Sequence, residues 1–163
     1  MNHLLPGLKG GGKTSDSDLR AKVDLLDPPE IAPKKTTAAP CPDGIEENNA
    51  ILTLLKPLVI QASKIQAEQE GQPGITVKDY CPFTVEGAPY GTLLSVEVET
   101  DKNQFRHYSS YEEIEDDFSS RRVSSGTLTT AVSRVMDQLL RYYGENPAWR
   151  KVEKLAYPDN EKE

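Results

Sequence analysis

The sequence predicts a mainly helical fold with a small β-hairpin and an irregular N-terminal segment. Apolar residues recur at helical spacing over 46–71 and again over 110–156. Between these stretches, residues 75–107 are rich in β-branched and apolar side chains with partial alternation, which is typical of strands. The first 44 residues have little periodic apolar pattern and carry many prolines and glycines.

These observations predict three parts of the chain. We expect an irregular segment at 1–44, a helical domain at 45–158 that includes a hairpin at about 75–104, and a frayed tail at 159–163. Within the first segment, the stretch DPPEIAPKKTTAAPCPDG contains five prolines, which remove backbone donors and clash with the preceding helical turn. We therefore interpret that stretch as an extended linker, preceded by a single turn of helix at 21–27.

The first long helix is predicted in ENNAILTLLKPLVIQASKIQAEQEG. Its apolar residues at roughly helical spacing are Ile51, Leu54, Leu55, Leu58, Ile60 and Ile65. Pro57 lies inside this segment and is expected to kink or divide the helix. The two strands of the hairpin are then predicted in ITVKDYCPFTVEG and GTLLSVEVET, with a turn from Gly87 to Gly91.

Three helices are predicted after the hairpin. Ser110 and Glu113 fit a capping box ahead of YEEIEDDF. The segment TLTTAVSRVMDQLLRYYG has a single apolar stripe, and Gly144 is expected to end that helix. Pro147 follows an asparagine and is expected to start the last helix. The apolar residues of that last helix, expected to face inward, are Trp149, Val152 and Leu155.

Composition and charge exclude several classes of protein. The chain has 163 residues and a formal net charge of -7 without a long basic run, so a general nucleic-acid coat is excluded, and no DNA partner is expected. No apolar run approaches the roughly 20 residues that cross a bilayer, and the first ten residues do not form a signal peptide, so we expect a cytoplasmic protein without a membrane partner.

Motifs for metal binding or nucleophilic catalysis are not recognisable. Cys41 and Cys81 are the only cysteines and fit neither a zinc motif nor a disulfide framework, which favours two reduced thiols and no metal. His3 and His107 have no partner at ligand spacing. The acidic run in YEEIEDDF is interpreted as the N-terminal face of a helix, favoured by the helix dipole.

A nucleotide-binding loop is suggested by one motif but not by its surroundings. Gly7, Gly12, Lys13 and Thr14 satisfy G-x-x-x-x-G-K-T. That motif holds phosphates only between a buried strand and a helix, and the flanking segments are too short and too rich in proline to supply either. We therefore interpret these residues as a flexible glycine loop.

The order of several short segments resembles the C-terminal region of eukaryotic and archaeal tyrosyl-tRNA synthetases. The segments are PGLKG, KTSDSD, KVDLLD and CPDGIEENNAIL near the start, and SYEEIEDDFSS and ENPAWRKVEKLAYPD near the end. The resemblance covers about residues 1–60 and 105–160. It implies a relation to class I synthetases, in which a Rossmann-type domain activates tyrosine with ATP and a helical C-terminal domain grips the anticodon stem-loop.

The resemblance also implies that the ATP loop is eroded. Lys13, Ser15 and Ser17 stand where the family has the lysine and serines of its Lys-Met-Ser-Ser-Ser loop, but Thr14 replaces the methionine and Asp16 replaces a serine. A carboxylate at Asp16 opposes the charge stabilisation that the lysine gives to the phosphates. The family's tyrosine pocket and His-x-Gly-His segment precede the matched part. We expect no catalysis by this chain alone and no cofactor, whereas the parent family uses ATP.

The anticodon-reading residues of the family are replaced as well. The family has His-Pro-x-Asp-Leu-Lys at the start of the long helix, where the histidine stacks on an anticodon base and the aspartate pairs with its edge. Here Ser124 and Thr127 occupy the histidine and aspartate positions. Phe105 and Tyr108 lie near the position where the family presents an aromatic side chain to the anticodon.

Four arginines are further candidates for RNA contact. Arg121, Arg122, Arg134 and Arg141 lie in a segment of net positive charge and can touch phosphates, which position an RNA without reading its sequence. The alternative is a solvated helix face with local ion pairs such as Arg134 with Asp137.

Three functions fit these patterns. The first is a synthetase-derived, non-catalytic module (a pseudoenzyme) that weakly binds tyrosine tRNA or the full-length synthetase. The second is a protein-interaction module without an RNA role, and the third is a truncated fragment of an active tyrosine–tRNA ligase. The sequence indicates no oligomeric state.

Overall fold

Helices pack around a two-stranded antiparallel hairpin in the part of the chain that the structure describes. The computed structural model describes residues 30–69, 83–98, 101–145 and 147–156. Its elements are α1 (Ile31–Thr37), α2 (Ala50–Gln69), β1 (Leu94–Val98), β2 (Asp101–Tyr108), α3 (Tyr111–Ser119), α4 (Ser125–Glu145) and α5 (Pro147–Ala156). The predicted fold class, mainly helical with a small hairpin, is confirmed. The predicted helix at 21–27 and the glycine loop from Gly7 to Thr14 lie outside the described residues.

Helix α1 replaces part of the extended linker that the prolines predicted. Pro33 is the third residue of α1, a position whose backbone N–H has no partner inside a helix, so proline is tolerated there. The helix is held by Ala38, whose N–H donates to Lys34 O at 3.1 Å, and by the hydroxyl of Thr36, which donates to Ala32 O at 2.8 Å. The prediction of an extended linker was therefore wrong over Ile31–Thr37.

Helix α2 begins after Asn49, a buried residue whose side-chain oxygen and amide group both form hydrogen bonds. The side-chain oxygen of Asn49 accepts the N–H groups of Ile51 and Leu52 at 3.1 and 3.0 Å. The Asn49 amide group donates to Ile45 O at 3.0 Å and to Cys41 Sγ at 3.5 Å. This network ties the preceding loop to the first turn of the helix.

Pro57 does not divide α2, which is continuous from Ala50 to Gln69. The predicted apolar stripe is only partly buried. Ile51, Leu54 and Leu55 lie in the core, whereas Ile60 and Ile65 are each 40 % exposed, so these two isoleucines are not core residues.

The hairpin lies further along the chain than the sequence predicted. β1 pairs with β2, with Leu94 opposite Tyr108 and Val96 opposite Arg106, and the register shifts between Glu97 and Val98. Residues 83–92, expected to contain a strand and the hairpin turn, instead form consecutive tight turns. Residues 75–82 lie outside the description. The strand β2 reads DKNQFRHY, which lacks the apolar alternation that marks a strand.

The three C-terminal helices occur where they were predicted. Ser110 caps α3, and its hydroxyl accepts the Glu113 N–H at 3.3 Å. The Glu113 carboxylate accepts the N–H of Ser109 at 2.8 Å, one residue before the position that a capping box uses. Gly144 does not end α4, which continues to Glu145.

Among the described residues, one cluster of buried side chains joins α1, α2, the hairpin, α3 and α4. Its members include Ala32, Ile51, Leu55, Leu94, Phe118, Leu128, Val132 and Leu140. The last helix differs from its prediction because Val152 is 53 % and Leu155 is 75 % exposed, so neither faces inward. Among the described residues, no helix is both long enough and apolar enough to cross a membrane.

Candidate functional site

The first turn of α4, at Ser124, Ser125 and Thr127, meets the loop before α2 and the turn between α3 and α4. We call this meeting point the junction. The hydroxyl of Ser124 accepts the N–H of Thr127 at 3.3 Å, and the two hydroxyl oxygens are 3.0 Å apart. The next residue, Ser125, donates its N–H to the carboxylate of Asp43 at 2.6 Å, across 82 positions of sequence. The loop before α2 is thereby anchored to the start of α4.

Arg121 packs against that same loop. It is a non-glycine residue with a positive φ of 58° in the turn between α3 and α4. Gly44 has a positive φ of 66°, which favours glycine, and a Cβ there would lie 3.0 Å from Arg121 Nε and would displace that side chain. The hydrogen bonds from Ser125, chiefly from its backbone N–H, lower the pKa of Asp43, and the positive charge of Arg121 acts in the same direction.

Asp117 of α3 accepts hydrogen bonds from three side chains at the edge of the junction. Its Oδ2 accepts Arg106 Nη1 and the Tyr108 hydroxyl, each at 3.0 Å, and its Oδ1 accepts Arg122 Nε at 2.5 Å. Partial burial alone would raise the pKa of Asp117, but the hydrogen bonds from Arg122, Tyr108 and Arg106 outweigh it, so the pKa lies below its usual range. The carboxylate therefore stays charged and fixes both guanidinium groups.

Two adjoining hollows lie between the hairpin and α4. Both are lined by Glu97, Val98 and Thr127. The larger hollow has a volume of about 390 Å³ and extends along α4, and the smaller one has about 170 Å³ and extends toward the turn after α3. The additional lining residues are Gly126, Thr130, Ala131 and Arg134 in the larger hollow, and Arg106, Arg122, Val123 and Ser124 in the smaller one.

Arg134 is held by the hairpin. One of its terminal nitrogens donates to the backbone oxygen of Ser95 at 2.7 Å, and its guanidinium lies 5.9 Å from the centre of the Phe105 ring. The alternative of local ion pairs named Arg134 with Asp137, and the structure has such a pair at Arg141, whose Nε donates to Asp137 at 2.9 Å. Arg134 therefore reaches the larger hollow from a fixed position, while Arg141 belongs to a separate pair on the exposed face of α4.

The structure brings together most of the residues that the sequence singled out for RNA contact. Ser124, Thr127, Arg122 and Arg134 line the hollows, and Phe105 lies against Arg134. Tyr108 is 3 % exposed, so its ring has no face open to a base. Burial, together with the neighbouring Asp117, raises its pKa far above the usual range, so the phenol remains a donor.

Other predicted site residues lie elsewhere. Lys13, Ser15 and Ser17 fall outside the described residues, and Arg141 lines neither hollow. Within the described ranges, no cluster of three or more histidine, cysteine or acidic side chains is placed to hold a metal ion.

Sequence reasoning missed three residues of the junction. Arg106 lies on β2, at the end of the stretch predicted as strand, and the sequence did not single it out as a site residue. Asp117 was counted as one of five acids on the N-terminal face of a helix, and Asp43 was placed in the linker. Their partners are distant in sequence or lie on other elements, so no spacing pattern marks them.

Comparison with known proteins agrees with the resemblance seen in the sequence. No family model matches the chain. It is 28 % identical over 165 residues to the protein named tyrosine–tRNA ligase, cytoplasmic, of Danio rerio, covering 99 % of this chain and 26 % of that protein. It is 32 % identical over 139 residues to the tyrosine–tRNA ligase of Haloarcula marismortui, covering 82 % of this chain and 33 % of that protein.

A solved structure supports the same relation. The crystal structure of tyrosyl-tRNA synthetase complexed with L-tyrosine from Archaeoglobus fulgidus is similar to this chain with a TM-score of 0.51 and 26 % identity, over 84 % of this chain and 33 % of that one. The chain spans between a quarter and a third of the length of the curated relatives described above. The chain is thus homologous to the C-terminal part of tyrosine–tRNA ligases.

Proposed function

We propose that this chain is a tRNA-binding module of the tyrosyl-tRNA synthetase type that holds the RNA through its phosphates and does not read the anticodon. The observation that carries this proposal is the junction at the first turn of α4. There, two hollows are lined by hydroxyls and by three arginines, at the position where the resemblance places the family's anticodon-contacting residues.

Loss of base reading follows from the side chains at that turn. Ser124 and Thr127 form a hydrogen bond with each other, and neither has a ring to stack on a base or a carboxylate to pair with its edge. Phe105 is an aromatic side chain at the junction, and the Arg134 guanidinium lies over its ring. Guanidinium groups and hydroxyls remain, which suit phosphate oxygens rather than one particular base.

Binding of the purified chain to tyrosine tRNA and to an unrelated tRNA, across a salt series, tests this function. We expect equal affinity for the two tRNAs and a steep fall as salt rises, because phosphate contacts release counterions and carry no sequence information. Absence of binding to either tRNA at low salt would contradict the proposal.

We also propose that the chain does not activate tyrosine by itself. The substitution of Asp16 in the loop that contains Lys13 supports this, because a carboxylate beside phosphates opposes their charge stabilisation. The check is tyrosine-dependent exchange of pyrophosphate into ATP, for which we expect no signal above a protein-free control. Measurable exchange would mean that the substituted loop still works.

The domain predicted at 45–158 is proposed to include α1 and the loop after it. Ala32 belongs to the core cluster, and Asp43 anchors the start of α4. Limited proteolysis checks this boundary, and the expected stable fragment retains Ile31–Thr37 rather than beginning near residue 45. For the whole protein we propose a cytoplasmic location, which the names of the relatives from Danio rerio and Saccharomyces cerevisiae support.

A protein-binding role is the second candidate, and α5 favours it. Val152 and Leu155 are three positions apart on one helix face and are both more than half exposed. The proposed partner is the full-length tyrosyl-tRNA synthetase. The expected result is binding that the double substitution Val152→Ser with Leu155→Ser abolishes and that the single substitution Lys64→Gln leaves intact.

A further inference from the structure

Two arginines from different elements converge on one carboxylate beside the smaller hollow. Arg106 comes from β2 and Arg122 from the turn after α3, and both are hydrogen-bonded to Asp117. The Asp117 side chain is only 16 % exposed, whereas Arg106 and Arg122 are 42 % and 56 % exposed. The carboxylate therefore lies beneath the arginines, which keep donors directed to solvent.

Each guanidinium has more donors than Asp117 uses. A guanidinium carries five N–H donors in a rigid plane, and one hydrogen bond from each arginine goes to the carboxylate. Anchoring removes part of the rotational freedom that an exposed arginine loses on binding a ligand. The pair is therefore preorganised for an anion with several acceptor oxygens.

Hydroxyls complete one wall of the hollow. Ser124 and Thr127 line it, and their hydroxyl oxygens are 3.0 Å apart. When Ser124 donates to Thr127, the Thr127 hydroxyl proton can point to a ligand. The tetrahedral oxygens of a phosphate match donors that arrive from several directions better than a flat carboxylate does.

Glu97 is the one acidic side chain that lines this hollow. With Arg106 and Arg122 also lining it, the residues that line the hollow carry +1, and Asp117 beneath the two arginines brings the formal charge of the group to zero. Glu97 therefore weakens an anion site, and its removal leaves the group with a formal charge of +1, which should strengthen binding. A purely structural pair of arginines predicts no such effect.

We propose that Arg106 and Arg122, with the Thr127 hydroxyl that Ser124 orients, form a seat for one phosphate group of the RNA backbone. This inference rests on the proposed tRNA-binding function and names the group bound at the junction. Arg106 thereby becomes a binding residue, although the sequence did not single it out.

The test measures binding of tyrosine tRNA to the full chain and to the variants Arg106→Gln, Arg122→Gln and Glu97→Gln, over a salt series. The control is Lys64→Gln on α2, which removes the same charge from an exposed residue that lines neither hollow. Each arginine variant should lower the slope of log affinity against log salt by about 0.7 to 0.9, the contribution of one lost phosphate contact. Glu97→Gln should raise affinity, and Lys64→Gln should keep the slope of the parent protein.

The variant Arg122→Lys distinguishes a loss of phosphate binding from a loss of folding. This variant keeps the charge but loses the planar fork, and should bind between the parent and Arg122→Gln with an unchanged slope. Unchanged slopes in Arg106→Gln and Arg122→Gln, with tRNA binding intact in the parent, would overturn the seat and leave the proposed function standing.

Absence of tRNA binding by the parent protein would overturn the proposed function, and inorganic phosphate then decides the seat. In an NMR titration with phosphate, we expect saturable shifts of the Arg106 and Arg122 Nε–H signals, and none in the amide of Lys64. If neither arginine signal responds to phosphate, the seat is overturned as well.

Discussion

Asp117 shows how one residue controls the candidate site. Its carboxylate holds two arginines and the Tyr108 hydroxyl, so α3, β2 and the turn before α4 are fixed relative to one another. The sequence analysis grouped Asp117 with the other acids of YEEIEDDF on the N-terminal face of a helix, and no pattern set it apart from them. Its partners lie 5, 9 and 11 positions away, outside the spacing at which residues on one helix meet.

Replacing Asp117 with asparagine should destabilise the fold. The change removes a charged acceptor from three hydrogen bonds, and bonds to charged groups contribute about 1.5 to 3 kcal/mol each when buried but less at exposed arginines. We expect a loss of about 1 to 2 kcal/mol in the free energy of unfolding, measured by urea denaturation. Asp116→Asn on the exposed face of α3 is the control, and equal effects of the two variants would contradict this role.

The stabilising effect of Asp117 should depend on pH. Its pKa in the folded protein lies below the usual value of 3.8, so the folded state binds the proton less tightly than the unfolded chain does. The contribution is therefore complete above about pH 4 and is lost as the pH falls through the lower folded pKa. The difference in unfolding free energy between the parent and Asp117→Asn should shrink between pH 6 and pH 3. A difference that grows on acidification would show the opposite shift.

At the scale of elements, local chemistry explains where prediction succeeded and failed. The apolar periods of α3 and α4 and the proline at the start of α5 located three helices correctly. The prolines led to the prediction of an extended linker where α1 forms. Proline is unfavourable in a helix interior, but Pro33 lies in the first turn of α1, where it is tolerated. The hairpin was predicted too early in the chain because the sequence of β2 is polar. Its pairing depends on β1 and the core rather than on local alternation.

The two helical prolines should differ in energetic effect. Pro57 lies inside α2, where it removes a hydrogen bond to the preceding turn, whereas Pro33 lies in the first turn of α1. We expect Pro57→Ala to raise the free energy of unfolding by about 1 to 3 kcal/mol and Pro33→Ala to change it by less than about 1 kcal/mol. Chemical denaturation measures both, and a larger gain at Pro33 would contradict this reading of the helices.

The faces of α4 and α5 should also differ. Leu128 is fully buried in α4. Leu128→Ala should therefore lower the free energy of unfolding by about 2 to 5 kcal/mol, through lost apolar burial and a cavity. Leu155 is 75 % exposed on α5, and Leu155→Ala should change stability by less than about 0.5 kcal/mol. Thermal unfolding distinguishes the two. A large cost at Leu155 would show that the face of α5 is covered within the folded chain.

At the scale of the whole molecule, a net charge of -7 coexists with a locally basic junction. The resemblance pointed to Ser124 and Thr127, and the structure places both at the hollows. The sequence did not reveal that Arg106, Asp117 and Asp43 surround them, because their meeting depends on how β2, α3 and the loop before α2 pack. Apolar periodicity in the sequence predicted much of the core. The charge contacts of the site could be identified only from the tertiary structure.

The most direct measurement compares two forms of tyrosine tRNA that differ only in the anticodon bases, bound to the full chain under identical salt. We predict equal affinity, because the junction offers groups for phosphates and lacks the histidine and aspartate that read a base in the family. A retained base stack is worth about 1 to 3 kcal/mol, or roughly a fivefold to hundredfold preference. A preference of that size for the native anticodon would contradict the phosphate-only mode of binding.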